Sequence, residues 1–297
     1  MNRLPVVLDK SFAHPKKAET IKEWLCKERT VILPRAFYYE VFTTTDDIRG
    51  NRIVTAAQKR IAAIRGMGEH IPLHLPSLLQ EEALLKSPLI PPYILSRYPF
   101  ERFSQSYLSE DWTPKNHQVS ILNYYSDHIN YMCDFWRNVL ISQYIPCFSK
   151  LDIDYALRYT TKFDDICQRL NSADFIREIA MHINQPNATL LDSTWIRFRF
   201  IQSLILQALI LLQSYPNFNI HIKSIEDDEL KKDFLTNINI RMEHDAHDLE
   251  YLILGLHFGS LATEETSKAN KSMSSRFRLL SPNGELLTLN SIIEPSP

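Results

Sequence analysis

The first fifty residues alternate short apolar runs with segments of helical spacing. Leu4–Leu8 is an apolar run that ends at Asp9, and residues 30–33 form a second run rich in β-branched side chains. Apolar residues at helical spacing follow each run, over 17–28 and then over 36–43. Runs of this length predict buried strands, and their alternation with helices favours a parallel sheet covered by helices.

Between residues 51 and 217 the pattern becomes mainly helical, with few strand signals. The longer helical patterns cover 116–144, 152–170, 172–183 and 190–215. We therefore predict an α/β core formed by residues 1–50 together with 218–297, and a large helical insertion or cap over 51–217.

The C-terminal segment holds an apolar run between two acidic groups. The run over 249–258 has helical spacing, follows Asp245 and Asp248, and ends at Gly259. Either aspartate is a suitable helix N-cap. A short β-rich stretch over 260–263 comes next and predicts a strand.

Near the end of the chain, two short runs flank a turn signal. The runs are 276–280 and 285–289, and between them lies the sequence Ser281-Pro282-Asn283-Gly284. An Asn-Gly pair between apolar runs predicts a β-hairpin.

Charge and composition exclude several classes of protein. The net charge of −2 gives no overall basic field for nucleic acid, and the chain has no glycine-rich phosphate loop. The four cysteines are scattered, which is typical of reduced thiols and a cytoplasmic protein. The most apolar stretch, over 204–212, is too short to span a membrane, so no membrane association is expected.

The order of the acidic residues resembles the PIN-domain nuclease family. That family opens with an apolar strand, then Asp, any residue, and Ser or Asn, which is matched here by Val6-Val7-Leu8-Asp9-Lys10-Ser11. Its helical Glu is matched by Glu40. Its third acid opens a helix that leads through a Gly turn to a strand ending in Thr and an acid, as do Asp248, Gly259 and Thr263-Glu264-Glu265. The resemblance covers residues 1–50 and 218–297.

This resemblance implies a three-layer α/β fold with a central, mainly parallel sheet, and the activity of a metal-dependent endonuclease. The substrate would be RNA, the reaction phosphodiester hydrolysis, and the cofactor Mg²⁺ or Mn²⁺, which prefer carboxylate oxygens. A bound metal lowers the pKa of its water and neutralises charge on the phosphate.

The resemblance also assigns roles to residues. Asp9 and Asp248 would be the principal metal ligands. Glu40, with Glu264 or Glu265, would bind the metal directly or through water. Ser11 would orient Asp9 or contact phosphate.

Basic residues offer candidate nucleic-acid contacts. Lys59 and Arg60 lie with Arg65 on a predicted helix that could contact phosphate, although a solvated helix face accounts for these charges more simply. The segments Arg197-Phe198-Arg199 and Arg276-Phe277-Arg278 alternate basic and aromatic residues as a nucleic-acid-binding strand does. The first of these fits a buried helix better.

The acidic residues also fit simpler structural roles. Asp9 could start an Asx-turn, Asp248 could only cap a helix, and Glu264 and Glu265 could be surface charges. A Glu at the closing position favours a catalytically inactive PIN-like module that binds nucleic acid or protein. A mostly helical interaction protein or a homo-oligomer is a further alternative.

The histidines of this segment support a metal site less well than the acids do. His247-Asp248 resembles the His-Asp pair of the HD-type phosphohydrolases, and His244 and His247, three residues apart, could bind a transition metal. That family needs a later Asp, and none follows Asp248.

Overall fold

A sheet of six strands runs through the residues that the computed structural model describes, which are 4–12, 29–43, 69–102, 168–214, 247–264 and 272–288. The strands are β1 (Leu4–Leu8), β2 (Arg29–Pro34), β3 (Glu69–Leu73), β4 (Glu101–Arg102), β5 (Ser260–Ala262) and β6 (Glu285–Leu287). Their order is β4-β3-β2-β1-β5-β6, and β4 alone among them runs antiparallel to its neighbour. The predicted α/β class with a mainly parallel sheet is confirmed.

Helices follow the strands in the order expected for this class. They are α1 (Arg35–Thr43), α2 (Leu75–Leu85), α3 (Pro91–Arg97), α4 (Ala173–His182), α5 (Ile196–Ser214), α6 (residues 247–258) and α7 (Met273–Leu280). None of the helices in the described ranges is both long and apolar enough to cross a membrane. The helices predicted over 17–28 and 116–144, and most of the one over 152–170, lie outside the described residues.

The centre of the sheet is apolar on both faces. Strands β1 and β2 pair in parallel from Leu4↔Arg29 to Val7↔Ile32, and their inner residues are buried. A strand that is buried on both faces of its sheet has apolar residues at successive positions, so it is recognised in the sequence as a continuous apolar run. This explains why β1, β2 and β5 are found where the apolar runs predict them.

Strands β3 and β4 lie inside 51–217, the range for which the sequence predicts a helical insertion. Strand β3 pairs in parallel with β2 from Val31↔His70 to Pro34↔Leu73, so the central sheet includes residues of that range. The signal was missed because His70 and Pro72 interrupt the apolar run, and proline usually argues against an inner strand. Helices α4 and α5 do lie where helices were predicted.

The predicted hairpin near the C-terminus is wrong. Residues 273–280 form α7, and β6 pairs in parallel with β5 rather than antiparallel with a strand before it. Met273, Phe277 and Leu280 are buried at helical spacing, and the Ser272 hydroxyl caps the helix by accepting from the Ser275 N–H. The alternation of basic and apolar residues over 276–280 covers only five residues, which is too short to distinguish a strand from a helix.

This correction also changes the second basic–aromatic segment. Arg276 and Phe277 are buried in α7, so the segment Arg276-Phe277-Arg278 is not a nucleic-acid-binding strand. The tight turn after α7 needs Gly284, because a Cβ there would lie 2.8 Å from the Phe277 ring.

At the amino edge of the sheet, an ion pair joins β2 to β6 across the two strands between them. Arg29 begins β2 and Glu285 begins β6, with β1 and β5 between them in the sheet. The guanidinium donates to both carboxylate oxygens of Glu285, at 2.7 Å for Nη1 to Oε2. The Ser260 hydroxyl donates to the same carboxylate. This edge is therefore held together by paired charge.

At the carboxyl edge, one carboxylate caps two helices. Glu250 of α6 accepts from the Ala36 N–H at the start of α1, at 2.9 Å, and from the Leu75 N–H at the start of α2, at 3.2 Å. Helix starts leave N–H groups without intrahelical partners, and negative charge is favourable there. Burial raises the pKa of Glu250 to about 7, with the two N–H donors acting in the opposite direction.

A second buried carboxylate repeats this arrangement at α5. Glu82 of α2 accepts from the N–H groups of Ile196 and Arg197, each at 2.8 Å, and from Leu89 N–H at 3.3 Å. The Arg197 guanidinium returns to α2 by donating to the Leu79 carbonyl oxygen at 3.0 Å. Helix α5 is therefore fixed to α2 by hydrogen bonds in both directions.

We expect Glu250→Ala to lower the free energy of unfolding by about 2 kcal/mol or more, because two helix caps are lost together. Glu250→Gln keeps one acceptor and should lose less. Urea unfolding followed by circular dichroism measures both.

The matched control is Asp174→Ala. The Asp174 side chain is 91% exposed and pairs with Arg177 on the surface of α4, so its removal should cost less than about 1 kcal/mol. Equal losses in the Glu250 and Asp174 variants would contradict the capping role.

A buried histidine makes stability depend on pH. His257 is 8% exposed, and its Nε2 lies 2.7 Å from the Leu89 carbonyl oxygen. Burial lowers the pKa of His257 to about 4, with the charge of Arg199 adding to this and the carbonyl opposing it. The stabilising contribution is therefore complete above the unfolded pKa of about 6.5 and is lost as the pH falls through 4.

We expect the wild-type protein to lose on the order of 2 kcal/mol more than His257→Gln between pH 7 and pH 4.5. Glutamine keeps an N–H donor for Leu89 but does not titrate. Urea unfolding of both proteins at the two pH values measures the difference. Parallel losses would show that His257 does not titrate in this way.

Candidate functional site at the carboxyl edge of the sheet

The candidate site lies at the topological switch point of the sheet, between β1 and β5, where the strand order reverses. Strand β1 is followed by β2 and β3 on one side, whereas β5 and β6 lie on its other side. Ligands of open parallel sheets bind outside the carboxyl ends of the strands at such a point. Asp9 directly follows β1, and Thr263 and Glu264 directly follow β5. The Asp9 N–H donates to the Ala262 carbonyl oxygen at 2.9 Å, which joins the two strand ends.

Two hydroxyl groups fix the orientation of the buried Asp9 carboxylate. The Thr263 hydroxyl donates to Asp9 Oδ2 at 2.7 Å, and the Ser11 hydroxyl donates to the same oxygen. Ser11 Oγ also accepts from the Glu264 N–H at 2.9 Å and lies 3.2 Å from Thr263 Oγ1. The sequence analysis expects Ser11 to orient Asp9 or to contact phosphate, and the structure shows a hydrogen bond between the two side chains.

Glu40 is held between the turn after β1 and helix α6. Lys10 Nζ lies 2.9 Å from Glu40 Oε1, and the Tyr251 hydroxyl donates to Glu40 Oε2 at 2.8 Å. The Tyr251 side chain is fully buried, whereas Lys10 and Glu40 are 27% and 17% exposed. Each oxygen of this carboxylate therefore has a donor from a different element.

The charges of this edge act on one another. Burial raises the pKa of the Asp9 carboxyl group, the hydroxyls of Ser11 and Thr263 oppose the rise, and the charge of Glu40 adds to it. Burial also raises the pKa of Tyr251 well above its usual value, and Glu40 and Asp9 raise it further. Such effects act over a few ångströms. Lys10, the residue after Asp9, contacts Glu40 directly, so the structure places these acids of separate elements in one region of the carboxyl edge.

Of the remaining predicted acids, Asp248 and Glu264 lie within the described residues and Glu265 does not. Asp248 precedes Tyr251 by three residues in α6, so the two share a face of that helix. The Glu264 backbone contacts Ser11, and its side chain is half-buried. The predicted site residues Glu265, Lys59 and Arg60, together with Asp245 and His244, lie outside the described residues. Arg197-Phe198-Arg199 lies in α5 and is mainly buried, as expected of a structural segment.

Lys10 and Tyr251 are functional candidates that the sequence analysis missed. Tyr251 lies within an apolar run and is typical of a core residue, although a buried tyrosine hydroxyl needs a hydrogen-bond partner. Lys10 occupies the unspecified position between Asp9 and Ser11 and follows a strand end closely. Its neighbourhood was the available signal, because a residue next to Asp9 is necessarily close to the acidic site.

The chemistry of the donors suits a hard cation. Carboxylate and hydroxyl oxygens line this edge, and both side-chain hydrogen bonds to Asp9 go to Oδ2. Within the described ranges, no group of three or more His, Cys, Asp or Glu residues is arranged to hold a metal ion. Comparison of the chain with protein-family models, with curated proteins and with solved structures gave no match.

We expect Thr263→Val to lower the free energy of unfolding by about 1–2 kcal/mol at pH 7, because the buried Asp9 carboxylate loses a donor. Thr263→Ser keeps the hydroxyl and is the matched control, expected within about 1 kcal/mol of the wild type. Urea unfolding measures both. A valine variant as stable as the serine variant would show that this hydrogen bond is not needed.

Proposed function

We propose that the chain is a metal-dependent endoribonuclease of PIN type that hydrolyses phosphodiester bonds in RNA. The observation that supports it is the position of Asp9 at the reversal point of a parallel sheet, with Glu40 held by the neighbouring Lys10. Tyr251 links this pair to α6, the helix that carries Asp248. A cytoplasmic location belongs to the proposal, because the cysteines follow no disulfide pattern.

The proposed ligand set is the one that the resemblance implies. Asp9 and Asp248 would hold Mg²⁺ or Mn²⁺, with Glu40 and Glu264 or Glu265 binding directly or through water. A bound ion of this kind lowers the pKa of water and neutralises charge on a phosphate group. The protein's own contribution is to fix Asp9 through two hydroxyls and Glu40 through Tyr251. Lys59 and Arg60 are the proposed phosphate contacts.

We expect Asp9→Asn to reduce Mn²⁺-dependent cleavage of labelled single-stranded RNA by about 100-fold or more. Changes to groups that merely support metal ligands already cost about 10–100-fold. The surface variant Asp174→Asn should cleave as the wild type does. Single-stranded DNA run in parallel distinguishes the two nucleic acids. Full cleavage by Asp9→Asn would exclude this site as the metal centre.

A catalytically inactive binding module is the second candidate. The observation that favours it is that Lys10 and Tyr251 occupy both oxygens of Glu40, while two hydroxyls bind Asp9. Protein donors thus satisfy these acids without a metal ion. Calorimetry that finds no Mn²⁺ binding, together with intact RNA binding in EDTA, would select this alternative, and protein partners or self-association would then be the next test.

A further inference from the structure

We propose that Arg199 binds a small oxyanion of the phosphate type at the point where the first half of α5 reaches solvent. The inference goes beyond the proposed nuclease function and does not rest on a metal site at the carboxyl edge of the sheet. It gives a role to the second arginine of the basic–aromatic segment 197–199, which lies in α5.

Arg199 is the point at which an otherwise buried stretch of helix is accessible. Every residue of α5 from Ile196 to Gln207 is buried except Arg199, which is half-buried. The Arg199 N–H donates to the Trp195 carbonyl oxygen at 3.3 Å, so its backbone belongs to the first turn of the helix. A solute can therefore reach this side chain, while the rest of the helix keeps its position fixed.

The two arginines of the segment differ in how their charge is balanced. Glu82 supplies a negative charge close to Arg197, whose guanidinium also donates to the carbonyl oxygens of Leu79 and Pro186. Arg199 has no carboxylate partner among the described residues, and burial alone lowers its pKa to about 10. The guanidinium thus stays charged at neutral pH. Because a largely buried charge without a counter-charge is costly, an anion that supplies the missing charge is favoured there.

The guanidinium is held in place, but not all of its donors are used. Nη1 donates to Gln202 Oε1 at 3.0 Å, and Gln202 Nε2 donates to the Leu170 carbonyl oxygen at 3.0 Å and to Asn171 Oδ1 at 2.9 Å. These bonds fix which atom of the amide faces Arg199. Within the described ranges, the buried Nε–H of Arg199 has no acceptor. A planar fork with unused donors is the geometry that binds the oxygens of phosphate or carboxylate.

A second unused polar group lies one helical turn along α5. Ser203 is 1% exposed, and its hydroxyl has no hydrogen-bond partner in the part of the chain that the structure describes. Residues four apart share a face, and helical side chains lean toward the N-terminus, so Ser203 leans toward Arg199. Unsatisfied polar groups on one face indicate a partner such as an ion or water. The charge of Arg199 favours an anion, and a donor outside the guanidinium plane suits a tetrahedral one.

The test is calorimetry and thermal unfolding of the full chain in EDTA, with inorganic phosphate as the probe and sodium chloride at equal ionic strength as the control for screening. The wild type should bind phosphate saturably and unfold at a higher temperature as phosphate is added, because the ligand stabilises the folded state. Arg199→Met should bind about tenfold less tightly or worse, because charge-assisted hydrogen bonds are lost. Arg199→Lys keeps the charge without the planar fork and should lie between the two.

Matched variants separate binding from folding. Arg177→Met removes a surface arginine of α4 and should bind phosphate as the wild type does. Ser203→Ala should weaken binding by about threefold or more, because one donor is lost. Without phosphate, Arg199→Met should unfold within about 3 °C of the wild type, whereas Arg197→Met should unfold about 5 °C lower or more, since only Arg197 has a buried counter-charge.

Saturable phosphate binding that Arg199→Met weakens and Arg177→Met does not would support the inference. Equal effects of phosphate and chloride, or equal binding by the wild type and Arg199→Met, would overturn it. If Arg199→Met does not fold, unchanged phosphate binding by both Arg199→Lys and Ser203→Ala overturns it instead. Competition by a 5′-phosphorylated RNA trinucleotide distinguishes a phosphate carried by nucleic acid from free phosphate. Because EDTA removes divalent ions, none of these results depends on the metal site, which Asp9→Asn tests.

Discussion

The carboxylate of Glu250 is the interaction on which the carboxyl edge of the sheet depends. It caps α1 at Ala36, and the next residue, Tyr251, binds Glu40 in the same helix. Ala36 and Glu40 are four residues apart, so they lie on one face of α1. Two consecutive residues of α6 thus contact α1 at positions one helical turn apart, which fixes how the two helices are aligned. The geometry of the acidic pair follows from that register.

The same interaction explains how the helices after β2 and β3 begin. Pro34 and His74 precede α1 and α2, and His74 makes no side-chain cap. Their starts are instead capped by Glu250, and the start of α5 by Glu82. Buried carboxylates are stable only with such partners, because desolvation of an isolated charge is costly. Each cap therefore stabilises a helix and a buried acid together.

The sequence predicted those parts of the fold and site that local pattern determines. The runs that became β1, β2 and β5 are apolar because the sheet is covered on both faces, and Asp9 stands at a strand end in sequence as in space. Strand β3 was missed because Pro72 interrupts its apolar pattern. Part of α7 was predicted as a strand because the alternating segment, residues 276–280, is too short to show the helical period. The contact of Lys10, the neighbour of Asp9, with Glu40 follows from sheet topology, which sequence order alone does not state. The contacts that Lys10 and Tyr251 make with Glu40 join distant elements, and only the position of Lys10 next to Asp9 gave a local signal for either of them.

The Glu250 caps have a consequence for how this protein can vary through evolution. Its partners are backbone N–H groups, which every residue except proline supplies. Positions 36 and 75 can therefore drift with little regard to position 250, although 214 and 175 residues of chain separate them from it. An alignment of relatives would show position 250 as constrained without a covarying partner. Contact maps inferred from correlated substitutions would then miss the link that sets the geometry of the site.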